Sequence, residues 1–576
     1  MKMDKHQVAQ VLAEIAAILE IKGENLFKIR AYQNAARIID GLSEDLRDLI
    51  NKGQLTSIKG IGSHLADHIA ELVSTGRLKE YEKLRQSVPP GIFEILRIPG
   101  IGPKKVKALW EKLSITNVGE LEYACNENRL VDLEGFGEKT QQKILQGIAY
   151  LGRFKDQHLY SDAMAAAQEI FKAIANHKNV IRAEIGGSLR RHKELIRDID
   201  ILAATDKAGP LMETFVSLPQ VDSVTAKGDT KSAVVLKSGI AADLRVVSDR
   251  EFPFALHYFT GSKEHNVAMR SLAKKDGIKM NEYGLFKGTK LIACKNEAQI
   301  FEALGLAYIP PELREDHGEI EAAAHGKLPK LIDTKDINGV FHVHSDWSDG
   351  TATIEIMALA AKKLGYRYVG IADHSQTAAY AGGLKPKEAK EQMQEIDALN
   401  KKLKGVTILK GAEVDILPDG TLDYPEDVLR MFDFVIISIH SKFNMSEKEM
   451  TKRIIKGMSN KYTSILGHPT GRLLLAREGY PVNMHEIIDA AAKYRVAIEI
   501  NAHPQRLDLD WRYGKYAKSK GVKVVIAPDA HGPEGLLDMA YGIGIARKGW
   551  FEKSDVLNCL TAEEACNFFS TKTQRH

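Results

Sequence analysis

Cysteine is scarce in this chain: four residues in 576, at Cys125, Cys294, Cys559 and Cys566, with no Cys-x-x-Cys pair. A disulfide-dense miniprotein is thereby excluded, the spacing argues against a thiolate zinc site, and free thiols in a reducing compartment are expected. Long hydrophobic runs are missing too. Glu14 and Glu20 interrupt the apolar N-terminal stretch, so neither a signal peptide nor a membrane span is expected, and the chain reads as cytoplasmic. Nor is there much charge of one sign: the formal net charge is +4, which permits DNA as a partner without demanding it.

What is present is an ordinary globular composition, 44% hydrophobic and 27% charged, long enough for three or four domains at roughly 100–200 residues each. Up to about residue 150 the pattern is helical, with apolar residues at i, i+3 and i+4 as in Val8, Leu12, Ile15 and Leu19. Within it one form recurs, an apolar residue and Gly-apolar-Gly before a helix start: Gly60-Ile-Gly62, Gly100-Ile-Gly102 and Gly135-Phe-Gly137. Two glycines allow a tight turn with positive φ and leave helix N-terminal N–H groups free for a phosphate, so each copy reads as a helix-hairpin-helix grip on a nucleic-acid backbone. Lys104 and Lys105, directly after the second copy, are expected to contact phosphate. The third copy, flanked by Glu134 and Glu138, is the weakest.

From about Val180 short β-rich runs follow, at 181–187, 198–203, 232–237 and 241–247, predicting an α+β domain. After Phe252 helical signals return, and a charged stretch opened by Pro310-Pro311 reads as a linker. Beyond it seven strand-like runs, at 339–344, 368–374, 407–413, 434–440, 463–468, 496–501 and 524–529, alternate with helical patterns. That alternation predicts a parallel barrel, and each run ends in a polar residue, where barrel active sites assemble.

Two constellations carry chemistry. Gly187-Ser188 precedes Asp198-Ile-Asp200, whose period of two puts both carboxylates on one face of a strand, and Asp243 and Arg245 share a face of a later strand. Three converging carboxylates suit Mg2+ or Mn2+ carrying a nucleoside triphosphate. The second constellation is His342, His344, Asp349, His374, Glu413, His440, His468, Asp529 and His531, nine groups at successive strand ends. Imidazole and carboxylate in that number can hold two or three ions of Zn2+, Mn2+ or Fe and act on a phosphodiester. Asp373 reads as support for a neighbouring ligand, and Glu499 and Asn501 as site wall.

The Gly-Ser turn, the three aspartates, His257–Asn266 and Ile278–Tyr283 resemble the family X DNA polymerases, the relatives of DNA polymerase beta within the nucleotidyltransferase superfamily. The barrel resembles the PHP (polymerase and histidinol phosphatase) domain, with all nine of its ligand positions occupied. The resemblance implies a multidomain chain: a lyase-type helical domain at 1–85, further helix-hairpin-helix motifs at 86–150, a nucleotidyltransferase palm at 151–255, a thumb-type nucleotide-selecting subdomain at 256–315, a linker at 316–335 and a (β/α)7 PHP barrel at 336–576. It implies that Asp198, Asp200 and Asp243 hold the polymerase metals, that Gly187, Ser188 and Arg191 meet the triphosphate, and that Tyr258, Phe259, Gly261 and Asn266 meet the sugar and base. Arg245 matches a residue that pairs with the aspartates in open enzymes. Lys28 and Tyr32 match a 5′-phosphate pocket, but the family's Schiff-base lysine is His68 here and a neighbouring lysine is His64, which speaks against lyase activity because a Schiff base needs an amine. The implied function is short-gap filling on gapped or primer–template DNA from deoxynucleoside triphosphates in base excision repair, by a monomer. The barrel would add 3′→5′ exonuclease action, with abasic-site endonuclease or 3′-phosphatase action as further readings. A barrel that is only a structural module, or a small-molecule phosphatase, is the alternative.

Overall fold

The computed structural model describes residues 3–573 except 4, 41, 43–45, 59, 131, 132, 134, 154 and 155. Asp132 and Glu134 of the third repeat therefore lie outside the described residues. The chain begins with helices Lys5–Lys22, Leu26–Asp40 and Ser63–Thr75, which close over Leu12, Ile15, Ile39, Ile69 and Leu72. A second helical core gathers Ile92, Ile95, Ile98, Val106, Leu109, Leu121 and Ile144.

The three repeats share one backbone geometry. Their first glycines, Gly60, Gly100 and Gly135, sit at φ +98°, +85° and +85°, a region L side chains avoid. In each, the following apolar N–H closes a turn, Ile61 to Ile58 O, Ile101 to Ile98 O and Phe136 to Leu133 O, at 3.0, 3.1 and 2.9 Å. The second glycines, Gly62 and Gly102, cap helices Ser63–Thr75 and Pro103–Leu113 with ordinary extended φ. A Cβ on either would meet no atom of the chain within 4 Å, so packing does not require glycine there, and the open space lies at a helix N-terminus.

The palm sheet runs Arg182–Ile185, Asp198–Ala204, Ala241–Val247, Lys231–Leu236 and Val221–Lys227 in spatial order. The edge strand Val221–Lys227 escaped the sequence reading because its residues are almost all exposed, leaving no apolar alternation to see. The central pair, Asp198–Ala204 and Ala241–Val247, is parallel and in a register that sets Asp200 opposite Asp243. Helices Phe252–Thr260 and Lys263–Lys275 and a three-stranded sheet of 278–292 follow. Residues 316–335 are packed rather than loose: they hold helix Glu319–Ala324, and the buried Glu319 meets His265 Nδ1 at 2.7 Å.

Seven parallel strands, from Gly339–Val343 to Val524–Ala527, then run in sequential order. Val343 bridges to Ala530 in parallel, and the His344 N–H donates to Ala530 O at 2.9 Å, so the last strand end returns to the first. The barrel docks through helix Met539–Lys548 on the palm and on the segment that follows the three-stranded sheet: Lys548 Nζ reaches Arg191 O at 2.9 Å and Glu315 at 2.5 Å, and Arg547 reaches Glu312 at 2.7 Å. Among the described residues no helix is long and apolar enough to cross a membrane.

Candidate active sites

The first site forms where the Gly186–Gly187–Ser188 turn meets strand Asp198–Ala204. The Gly186 N–H donates to Asp200 O at 2.8 Å, and Gly187 takes φ +62° directly over the Asp200 carboxylate, where a Cβ would lie 2.2 Å from Oδ2. Only glycine fits. Burial, then the charges of Asp198 and Asp243, push the Asp200 carboxyl up to about 7. Three carboxylates this close repel, and a divalent cation is the partner that such a donor set suits.

A cavity of about 370 Å³ opens beside them, lined by Gly187, Ser188, Arg191, Asp198, Asp200, Tyr258, Phe259, Gly261 and Asn266. The residues expected to hold a nucleotide are thus brought to one wall. Asn266 Nδ2 donates to Tyr258 O at 2.7 Å, and the Tyr258 and Phe259 rings meet edge to face. Lys263 and Arg270 also line it and were missed, although Arg270 stands four residues after Asn266 on the same helical face. Lys231 pairs with Asp243 at 2.6 Å, a neighbour visible only once strand pairing is known. Arg245 lies over the Phe259 ring at 4.2 Å and its charge counters the rise of the Asp200 carboxyl, while Lys231 makes the close ion pair with Asp243. Arg191 is held by Glu315 through Nε at 3.0 Å and donates from Nη1 to Thr260 O. Burial favours a protonated Glu315, but Lys548, Arg191 and Lys193 outweigh it and hold the carboxyl down to about 2.

The second site is the C-terminal mouth of the barrel, where all nine predicted groups converge. Three overlapping sets of donors lie within 4.8 Å: His342, His344 and Asp529; His374, Glu413 and His440; and His344, Asp349, His374 and His531. His468 Nε2 joins through Glu413 at 2.9 Å. Both ring nitrogens of His344, His342 Nε2 and His468 Nδ1 are buried without a hydrogen-bond partner, a costly state for a polar atom unless a cation takes its lone pair. Burial, then His531, push His344 down to about 3, while against burial Glu413 draws His440 up to about 10 and Asp349 draws His531 up to about 9: the carboxylates of the cluster call for added positive charge, which protons or metal ions supply. The donor sets therefore fit metal ions. His342, His468 and Asp529 stand at φ +58°, +22° and +54°, strain of about 1–3 kcal/mol each of the kind that gathers at functional sites.

Supporting contacts are equally directed. Glu499 accepts from His342 Nδ1 at 2.5 Å and from the His468 N–H. Asp373 is fully enclosed by Ser345, Ser348 and Gln392, bracing the loop that carries Asp349 rather than offering a ligand. Asp415, beside His440 at 3.3 Å, was missed because the strand runs two residues past Glu413, to Asp415; Arg506, beside Asp529 at 3.4 Å, was missed because it comes from a loop and has no strand-end signature.

In the helical region Lys104 is exposed, while Lys105 Nζ bonds to Gly100 O at 3.1 Å. Lys28 pairs with Glu80 at 3.1 Å. Tyr32 is buried, its hydroxyl 2.9 Å from His68 Nδ1.

Family profiles match in the same order as the domains: Helix-hairpin-helix domain at 3–78, SAM-like Helix-hairpin-helix tandem at 93–149, DNA polymerase beta thumb at 255–315 and PHP domain at 341–503. A Bacillus subtilis (strain 168) protein named DNA polymerase/3'-5' exonuclease PolX is 39% identical over 566 residues, 98% of each chain. The chain belongs to this family of X-type DNA polymerases with a PHP domain. Rattus norvegicus DNA polymerase lambda is 25% identical over 341 residues, 54% of this chain and 56% of its own. A probable phosphatase of Thermoanaerobacter sp. (strain X514) is 33% identical over 202 residues, 33% of this chain and 77% of its own.

Proposed function

We propose that this chain is a cytoplasmic, monomeric DNA-directed DNA polymerase that fills short gaps in repair, and that its barrel is a 3′→5′ exonuclease. The observation that carries the polymerase reading is the register that sets Asp200 opposite Asp243 under a glycine turn on the wall of a nucleotide-sized cavity. Asp198, Asp200 and Asp243 would hold Mg2+ or Mn2+, which supply positive charge to the attacking and leaving oxygens of an in-line displacement. Ser188, Arg191 and the Gly187 backbone would grip the triphosphate. Tyr258, Phe259, Gly261 and Asn266 would meet sugar and base, and Asp243 would take the proton of the primer hydroxyl. The hairpin glycines Gly60, Gly62, Gly100 and Gly102, with Lys104 and Lys105, would hold DNA phosphates; Lys28 and Tyr32 are assigned to the downstream 5′-phosphate.

In the barrel, the nine ligands would hold two or three ions of Zn2+, Mn2+ or Fe, which supply Lewis acidity toward a phosphodiester and activate water. Glu499 fixes the His342 ring and the His468 backbone, and Asp373 fixes the Asp349 loop. The likeness to a probable phosphatase, confined to a third of the chain, favours a second reading in which the barrel also removes 3′-phosphates. The test is nucleotide incorporation on a one-nucleotide gapped duplex against free nucleotide acceptors, and release of phosphate from 3′-phosphorylated DNA against p-nitrophenyl phosphate. DNA-dependent incorporation and turnover of DNA ends are expected; DNA-independent transfer, or turnover of the small ester alone, overturns the reading.

A further inference from the structure

The helical domain carries a cluster that neither active site uses. His64 and His68 stand four residues apart on helix Ser63–Thr75 and so share a face, and their rings lie 4.2 Å apart. Glu80, from the following helix Lys79–Gln86, turns one oxygen to both: Oε2 is 3.9 Å from His64 Nε2 and 3.3 Å from His68 Nε2. One donor atom from each residue lies within 4.8 Å of the others. Ligands of a tetrahedral ion at about 2.0–2.2 Å are separated by roughly 3.4 Å, so a small contraction brings these three onto one cation.

Two neighbours orient the donors. The other oxygen of Glu80 is taken by Lys28 at 3.1 Å, which leaves Oε2 for the imidazoles. His68 Nδ1 faces the Tyr32 hydroxyl at 2.9 Å. With the proton on Nδ1 donated to that hydroxyl, the Nε2 lone pair points at Oε2, the arrangement by which ligating histidines are held. The His64 side chain is 65% exposed and that of Glu80 35%, so an ion can enter from solvent and keep a coordination position open.

We propose that His64, His68 and Glu80 form a separate site for a borderline divalent ion of the Zn2+ class. Two imidazoles and one carboxylate are the ligand chemistry of zinc, cobalt and nickel, and the nitrogens disfavour Mg2+. Three protein ligands leave the fourth position for water or an anionic oxygen, and the site stands on the helix that Gly62 caps, next to the open hairpin surface. A phosphate oxygen of DNA is the ligand this position suits.

The test uses the full chain and Zn2+ alone. Equilibrium dialysis should show His64→Gln and Glu80→Gln each binding one zinc ion fewer than wild type. Diethylpyrocarbonate labelling mapped by peptide mass should show Zn2+, but not Mg2+, protecting His64 in wild type. His344→Ala, which disables the barrel sets, should keep that protection. Equal zinc counts in wild type and both variants, or His64 labelling unchanged by Zn2+, overturns the proposal; the labelling of wild type decides even where a variant fails to fold.

Discussion

Replacing Gly187 by alanine should cripple polymerisation through one atom. The new Cβ would stand 2.2 Å from Asp200 Oδ2, against a favourable separation of about 3.5 Å, so one side must yield by more than about 1 Å. The turn cannot retreat freely, because the Gly186 N–H is bonded to Asp200 O at 2.8 Å on the same strand. The residue would also occupy φ +62°, which costs an L side chain about 1–2 kcal/mol. Asp200 is therefore the group that moves, and a misplacement of about 1 Å at a reacting centre costs roughly 100-fold. Single-nucleotide insertion on a gapped duplex should fall by about that factor in kcat/KM, while primer shortening by the barrel stays at the wild-type rate. Insertion within about fivefold of wild type, in a variant that melts normally, would refute the reasoning.

Glu499→Gln keeps the size of the side chain but weakens the hold on His342 Nδ1 and the His468 N–H, and should lower metal affinity of the barrel about 10–100-fold in equilibrium dialysis. Lys548→Met removes a buried cation bonded to Glu315 and to Arg191 O; breaking such a pair costs about 3–5 kcal/mol, to be read by denaturant unfolding, and a raised KM for deoxynucleotide is expected because Glu315 also holds Arg191. The depressed pKa of Glu315, about 2 against 4.5, corresponds to about 3 kcal/mol. That contribution is fully present above pH 4.5 and is lost as pH falls toward 2, so the stability gap between wild type and Glu315→Gln should close over that window; a gap constant with pH contradicts it.

Much of both sites was legible because period and position suffice to place side chains in regular elements. The two-residue period put Asp198 and Asp200 on one face, and the seven barrel strands were marked by apolar runs ending in polar residues of the site. What sequence could not show were groups defined by pairing between distant elements. Lys231 meets Asp243 only through an antiparallel strand register, and Arg506 reaches Asp529 from a loop. Arg245 shares a strand with Asp243, two residues on, and its charge reaches Asp200, but its contact with Phe259 was not visible because that ring lies on another element. The strand Val221–Lys227 was invisible since an exposed edge carries no apolar rhythm. Residues 316–335 carry linker-like composition, yet the buried Glu319 with His265 packs them; burial of a charged pair is a tertiary fact that composition hides.

The central claim is two independent active sites in one chain, and crossed inactivation tests it most directly. A 5′-labelled primer on a gapped duplex with a downstream 5′-phosphate is incubated with Mg2+ or Mn2+, with and without deoxynucleotides, using wild type, Asp200→Ala and His344→Ala. Asp200→Ala is expected to shorten the primer without extending it, and His344→Ala to extend it without shortening it. Loss of both activities in either folded variant, or a wild type that extends but never shortens under either metal, would contradict the claim.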